Sequence, residues 1–141
     1  MNKINFRFLL AGAYGLSIFL ISLVTYAAVP SWEITSENDT FRLMIRPEGA
    51  RVQISQYHNW ILTIKDASGN PIENAGVSIT GDMKDHGHDL PSQPVVTKYL
   101  QNGKYLIEGI LFNMSGRWTL NIYIQTLTQA DRGRFDVELS F

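Results

Sequence analysis

Two of the chain's three histidines, a methionine and three aspartates fall within "GDMKDHGHDLPSQP", Gly81 to Pro94, a stretch with no hydrophobic period. His86 and His88 stand two apart, so in an extended backbone their imidazoles leave the same side and can converge on one ion. Gly87 spares the crowding between them. Met83 lies just upstream, Met114 precedes the "SGRW" turn, and His58 opens the stretch that leads into Trp60. Imidazole suits Cu(II), and a thioether is soft enough to select Cu(I). A mixed His/Met set without cysteine therefore points to copper more than to zinc, although the histidines alone would suit zinc equally well.

The same residues have ordinary uses. His-Gly-His in a polar loop can be solvated, Met114 can join the core at strand parity with Phe112, and His58 can cap a strand through a ring hydrogen bond. Asp82, Asp85 and Asp89 form an acidic turn whose spacing is not that of a calcium hand, and Lys84 sits among them. As neighbours of a metal site, one of these carboxylates could accept a histidine ring N–H and fix which nitrogen faces the ion. No serine, threonine or lysine stands in a nucleophile motif beside the histidines, so the expectation is a protein that is not an enzyme.

Strands must position this set. "FRLMIR" alternates with Phe41, Leu43 and Ile45 on one face, "WILTIKD" with Trp60, Leu62 and Ile64, and "AGVSIT" with Ala75, Val77 and Ile79. "VVTKYL" and "KYLIEGILF" flank Asn102-Gly103, both tolerant of the positive φ that a type I′ hairpin turn requires. Gly109 interrupts the second of these strands and the apolar parity shifts there, which predicts a bulge. "WTLNIYI" and "RFDVELSF" close the series, with Trp118, Leu120, Ile122 and Ile124, then Phe135, Val137 and Leu139, inward. About seven short strands without helical periodicity predict an all-β fold, an immunoglobulin-like β-sandwich over 41–141.

Upstream, Lys3 and Arg7 precede an uncharged apolar run from Phe8 to Val29, which reads as an N-terminal hydrophobic helix, either a cleaved signal peptide or a retained membrane anchor over 1–29. Either reading places the domain outside the cytoplasm, in the cell envelope. Residues 30–40 read as a polar tether, with Trp32 at the membrane interface and Trp60 and Trp118 in the core. With 141 residues, 45% of them hydrophobic, the chain can bury one modest core. It has no cysteine, which excludes disulfides, thiolate metal sites and thiol nucleophiles. Without Lys3 and Arg7, the 12 Lys+Arg fall to 10 against 13 Asp+Glu, so there is no footprint for nucleic acid.

The succession "HNW" (58–60), "DASGNPIENAGVSITGDM" (66–83), "HGHDLPSQP" (86–94) and "NGKYLIEGILFNMSGRWTL" (102–120) resembles the YtkA-like domain family, related to FixH-type proteins. Its most specific part is the ordered set HGH-x-LP-x-x-P, then G-x-Y, then M-x-G-x-W. The resemblance implies a small exported or membrane-anchored β-sandwich, and its better-known relatives imply copper handling and oxidase assembly. Where the family often has proline after the methionine and glycine after the second histidine, this chain has Lys84 and Asp89, so its loop is more charged. Two functions stand side by side. One is an exported module that binds copper through His86 and His88, helped by Met83, Met114 or His58. The other is a metal-free interaction module that docks a membrane complex such as a transporter or an oxidase.

Overall fold

The computed structural model describes residues 29–49 and 51–140. The predicted hydrophobic helix lies outside the described residues, apart from Val29. Within them the chain forms nine strands: β1 Trp32–Thr35, β2 Phe41–Pro47, β3 Tyr57–Asp66, β4 Gly76–Met83, β5 His88–Asp89, β6 Val95–Tyr99, β7 Lys104–Leu111, β8 Gly116–Gln125 and β9 Ala130–Leu139. They make two antiparallel sheets, ordered β1-β2-β3-β7-β6 and β5-β4-β8-β9, and among the described residues there is no helix that could cross a membrane.

Alternation decides which face of each sheet is dry. Phe41, Leu43 and Ile45 of β2, Trp60, Leu62 and Ile64 of β3, Ile107 of β7, Trp118, Leu120, Ile122 and Ile124 of β8, and Phe135 and Val137 of β9 are buried between the sheets. Each such side chain contributes roughly 1.5–3 kcal/mol on leaving water, and with no disulfide this burial carries the fold. Aromatic rings form a continuous run across the core. Trp60 meets Phe112 with ring centroids 6.2 Å apart, and Phe112 meets Trp118 at 5.5 Å, both edge to face.

The Asn102-Gly103 reversal forms, with Gln101 before it also at positive φ, 68°, so the loop is one residue longer than a two-residue turn and the Leu100 N–H reaches the Lys104 carbonyl at 2.7 Å. Asn102 and Gly103 have φ of 52° and 71°, and the Lys104 N–H donates to the Gln101 carbonyl at 3.1 Å, closing a type I′ reversal between β6 and β7. A Cβ at position 103 would collide with the Ile64 carbonyl. The bulge expected at Gly109 is also present, since His58 pairs with Ile110 but Trp60 pairs with Ile107, leaving two β7 residues opposite one of β3.

The structure corrects the reading of residues 30–40. They are not a free tether, because Trp32 to Thr35 form β1 and pair with β2 from Trp32↔Ile45 to Thr35↔Arg42. Trp32 does not stand apart at an interface, since it stacks on Trp60 at 5.5 Å with a 28° interplanar angle. The following turn is fastened by a residue far along the chain, Asp131 of β9. Its carboxylate accepts from the Ser36 hydroxyl at 2.6 Å, the Asn38 side-chain amide at 2.9 Å and the Asn38 N–H at 3.0 Å, and also from the Arg132 N–H at 2.8 Å. Burial by itself would raise the Asp131 pKa, but these hydrogen bonds outweigh it and hold the carboxyl well below the ordinary value. The count rises from seven strands to nine through β1 and β5, of four and two residues, runs too short for alternation to distinguish a strand from a polar loop.

Candidate metal site

The β4 strand carries Asp82 and Met83 to the end of its sheet, where Lys84 to Gly87 turn the chain back into β5. Within the turn the His86 N–H donates to the Met83 carbonyl at 3.1 Å, and Gly87 takes φ of 64°. Asp82 then pairs with Asp89 and Met83 with His88. His86 is thus a turn residue and His88 a strand residue, so the two do not share the extended segment expected from their spacing. The turn nonetheless sets their rings side by side, with centroids 6.4 Å apart and planes within 13° of parallel. Both residues are exposed, and neither ring makes a hydrogen bond with any described residue.

The other three candidates are placed differently. Met83 is wholly buried, its sulfur inside the core. Gly116 makes room for it: at φ 124° this residue has no side chain, and a Cβ there would stand 2.9 Å from the Met83 Cε. Met114 is half-buried against the same core, and its carbonyl accepts from the Trp118 indole N–H at 3.1 Å. The His58 Nε2 lies 3.0 Å from the Gln53 N–H and 2.8 Å from the Gln53 carbonyl, so Gln53 occupies that nitrogen in either tautomer. His58 belongs to the five-stranded sheet, whereas the β4–β5 hairpin belongs to the other.

Tested as a copper set, the five residues do not fit one resident centre. The structure brings His86 and His88 together, places Met83 under the hairpin but in the core, holds His58 on β3 against Gln53, and packs Met114 against the core before β8. Among the described residues no three His, Asp or Glu side chains are grouped so as to hold an ion. What fits is an open pair of imidazoles, free to rotate onto one ion at the usual distance of about 2 Å, with solvent or a partner completing the coordination.

Most of the sequence motif around the histidines has structural work. The Leu90 N–H donates to the Gly81 carbonyl at 2.8 Å and its side chain packs on the core. The Ser92 hydroxyl accepts from the Leu111 N–H at 3.1 Å. The Tyr105 hydroxyl lies 2.7 Å from the carbonyls of both Ile72 and Glu73 and 3.2 Å from the Ala75 N–H, pinning the β3–β4 connection. Burial raises the pKa of this phenol. A feature absent from the sequence reading is the Asp82↔Asp89 pair, two carboxylates directly opposed across β4 and β5. One Asp82 oxygen accepts from Asn121 at 3.0 Å and the other is buried without a partner. No spacing rule announces that pair, because it depends on where the hairpin turns.

No curated protein and no solved structure matches the chain. The model of one family, described as YtkA-like, matches residues 33–123, from β1 through the β4–β5 hairpin to β8, and the chain therefore belongs to the YtkA-like family.

Proposed function

We propose that this YtkA-like chain is a non-enzymatic module of the cell envelope, tethered through residues 8–29, that binds copper in exchangeable fashion on His86 and His88. The finer fold assignment, an immunoglobulin-like sandwich following a hydrophobic helix, belongs to the same proposal. One observation carries it: the two rings are side by side, exposed, and free of every structural task that occupies the residues around them. Imidazole nitrogen is a good donor to Cu(II), and an ion held by two side chains in open solvent leaves easily, as a delivering or buffering protein requires. Met83 and Met114 would then serve the core beneath the hairpin and not the ion.

Titration of the full chain in detergent with Cu(II) and Cu(I) tests this. Saturation at one equivalent, with nitrogen hyperfine structure in the Cu(II) spectrum and loss of both in His86→Ala/His88→Ala, is the expected result. Absence of saturable binding, or binding unchanged in the double variant, rejects it. In that case the second reading stands, a metal-free module that docks a membrane complex, which the burial of Met83 and the engagement of His58 favour by leaving the hairpin only two ligands.

A further inference from the structure

The outer face of the five-stranded sheet carries charge of predominantly one sign. Strand parity and register direct Arg42, Arg46, Lys65, Lys98 and Lys104 out of it, around an apolar centre of Met44, Ile61 and Leu106. Its carboxylates are Glu33, on the edge strand, and Glu108, beside the bulge. Among the described residues none of these five cations reaches a carboxylate. On the outer face of the other sheet, by contrast, Arg117 pairs with Glu138, and Arg132 and Arg134 both pair with Glu37.

Two cations of the first face are also opposed to one another, Arg42 directly across from Lys65, a cross-strand arrangement that repels. Lys104 stands opposite Thr63, one position further in. An open groove of about 630 Å³ lies on this face, lined by Glu33, Thr35, Arg42, Met44, Thr63 and Lys65 among others. The rest of the described chain is acidic, with five basic residues against eleven carboxylates, one of them the buried Asp131. The molecule is therefore polarised, with five of its seven cations that lack an ion pair among the described residues on one sheet face, the other two being Arg51 and Lys84.

We propose that this face docks the domain on anionic lipid headgroups. The five cations lie on four neighbouring strands, β2, β3, β7 and β6, which at about 4.8 Å apart spread them over roughly 14 Å, wider than one small anion and matched to several phosphates. Connectivity would hold this sheet close to such an array. The apolar run ends at Val29, and β1, the edge strand of this sheet, opens at Trp32, so no more than about 10 Å of chain separates them. The proposal rests on the tethered reading above and is independent of copper.

The test places the full chain in lipid discs of phosphatidylcholine, with or without phosphatidylglycerol, and labels it with a membrane-impermeant amine reagent read by mass spectrometry. Labelling of Lys65, Lys98 and Lys104 is expected to fall about fivefold on the anionic lipid and to recover in high salt, while Lys84 on the β4–β5 turn stays unchanged. Arg42→Glu is expected to restore labelling at Lys65. Equal labelling in the two lipids overturns the proposal. So does a loss shared by Lys84, or the same protection given by inorganic phosphate over neutral lipid. If the chain fails to enter discs, sedimentation with anionic but not neutral vesicles upholds docking while removing the tether, and no sedimentation removes both. Protection unchanged in His86→Ala/His88→Ala separates this face from the copper pair.

Discussion

At the scale of single residues, two buried polar groups contribute in opposite directions. Asp131 is 8% exposed and engages Ser36, Asn38 and Arg132, so its carboxylate is ionised and satisfied. Asp131→Ala strands these donors and is expected to cost about 2–4 kcal/mol in denaturant melts at neutral pH. The pH dependence has a definite sign. The folded-state carboxyl titrates below the ordinary value of 3.8, so its contribution is complete above that pH and is lost as the pH falls below it. The difference between wild type and Asp131→Asn should therefore shrink progressively as melts are taken below pH 3.8; a constant difference down to acid pH would mean the carboxylate charge is not what the turn uses. Thr63 is the counter-case. It is 6% exposed, and its hydroxyl has no partner among the described residues. Thr63→Val keeps the branched shape and removes the unsatisfied group, so a gain of about 1 kcal/mol in thermal or chemical denaturation is expected.

At the scale of elements, the two hairpins that carry the sequence's strongest signals differ in what they do for the fold. The β6–β7 turn is structural. Gly103→Ala places a side chain at φ 71° and against the Ile64 carbonyl, and should cost about 2 kcal/mol or more by equilibrium unfolding. In the β4–β5 hairpin the backbone is engaged, but the side chains of His86 and His88 make no hydrogen bond with any described residue. His86→Ala/His88→Ala should leave stability within about 0.5 kcal/mol of wild type, and a larger loss would reassign the pair to the fold. Both hairpins were legible to different depths. Asn-Gly specifies the positive φ of the reversal from two residues, although not the left-handed Gln101 that precedes them. The spacing of His86 and His88 specifies only that they are close, and the chain turns between them where an extended run was expected. Met83 shows the same limit, since a thioether reads alike as ligand or as core until Gly116 opens the space that receives it.

At the scale of the whole molecule, the boundary of the domain decides its stability. Alternation makes a strand visible from Phe41 onward, and a domain beginning there looks complete. The four residues of β1 alternate, Trp32 and Ile34 against Glu33 and Thr35, but over too short a run to announce a strand, and their order comes from partners elsewhere: Ile45 and Leu43 along β2, Trp60 beneath Trp32, and Asp131 beyond the next turn. Ile34 also packs on the core, where Gly133 of β9 leaves space that a Cβ would fill, at 3.0 Å from the Ile34 Cδ1. A chain begun at Phe41 thus loses an indole stack, a packed isoleucine, one edge of the sheet and most donors to a buried carboxylate. Those losses come to about 5 kcal/mol or more, comparable with the total stability of a domain this size. A chain begun at Val29 should melt in a single cooperative transition, and one begun at Phe41 should be largely unfolded at the same temperature by circular dichroism. If both melt alike, β1 is an ornament on the sandwich.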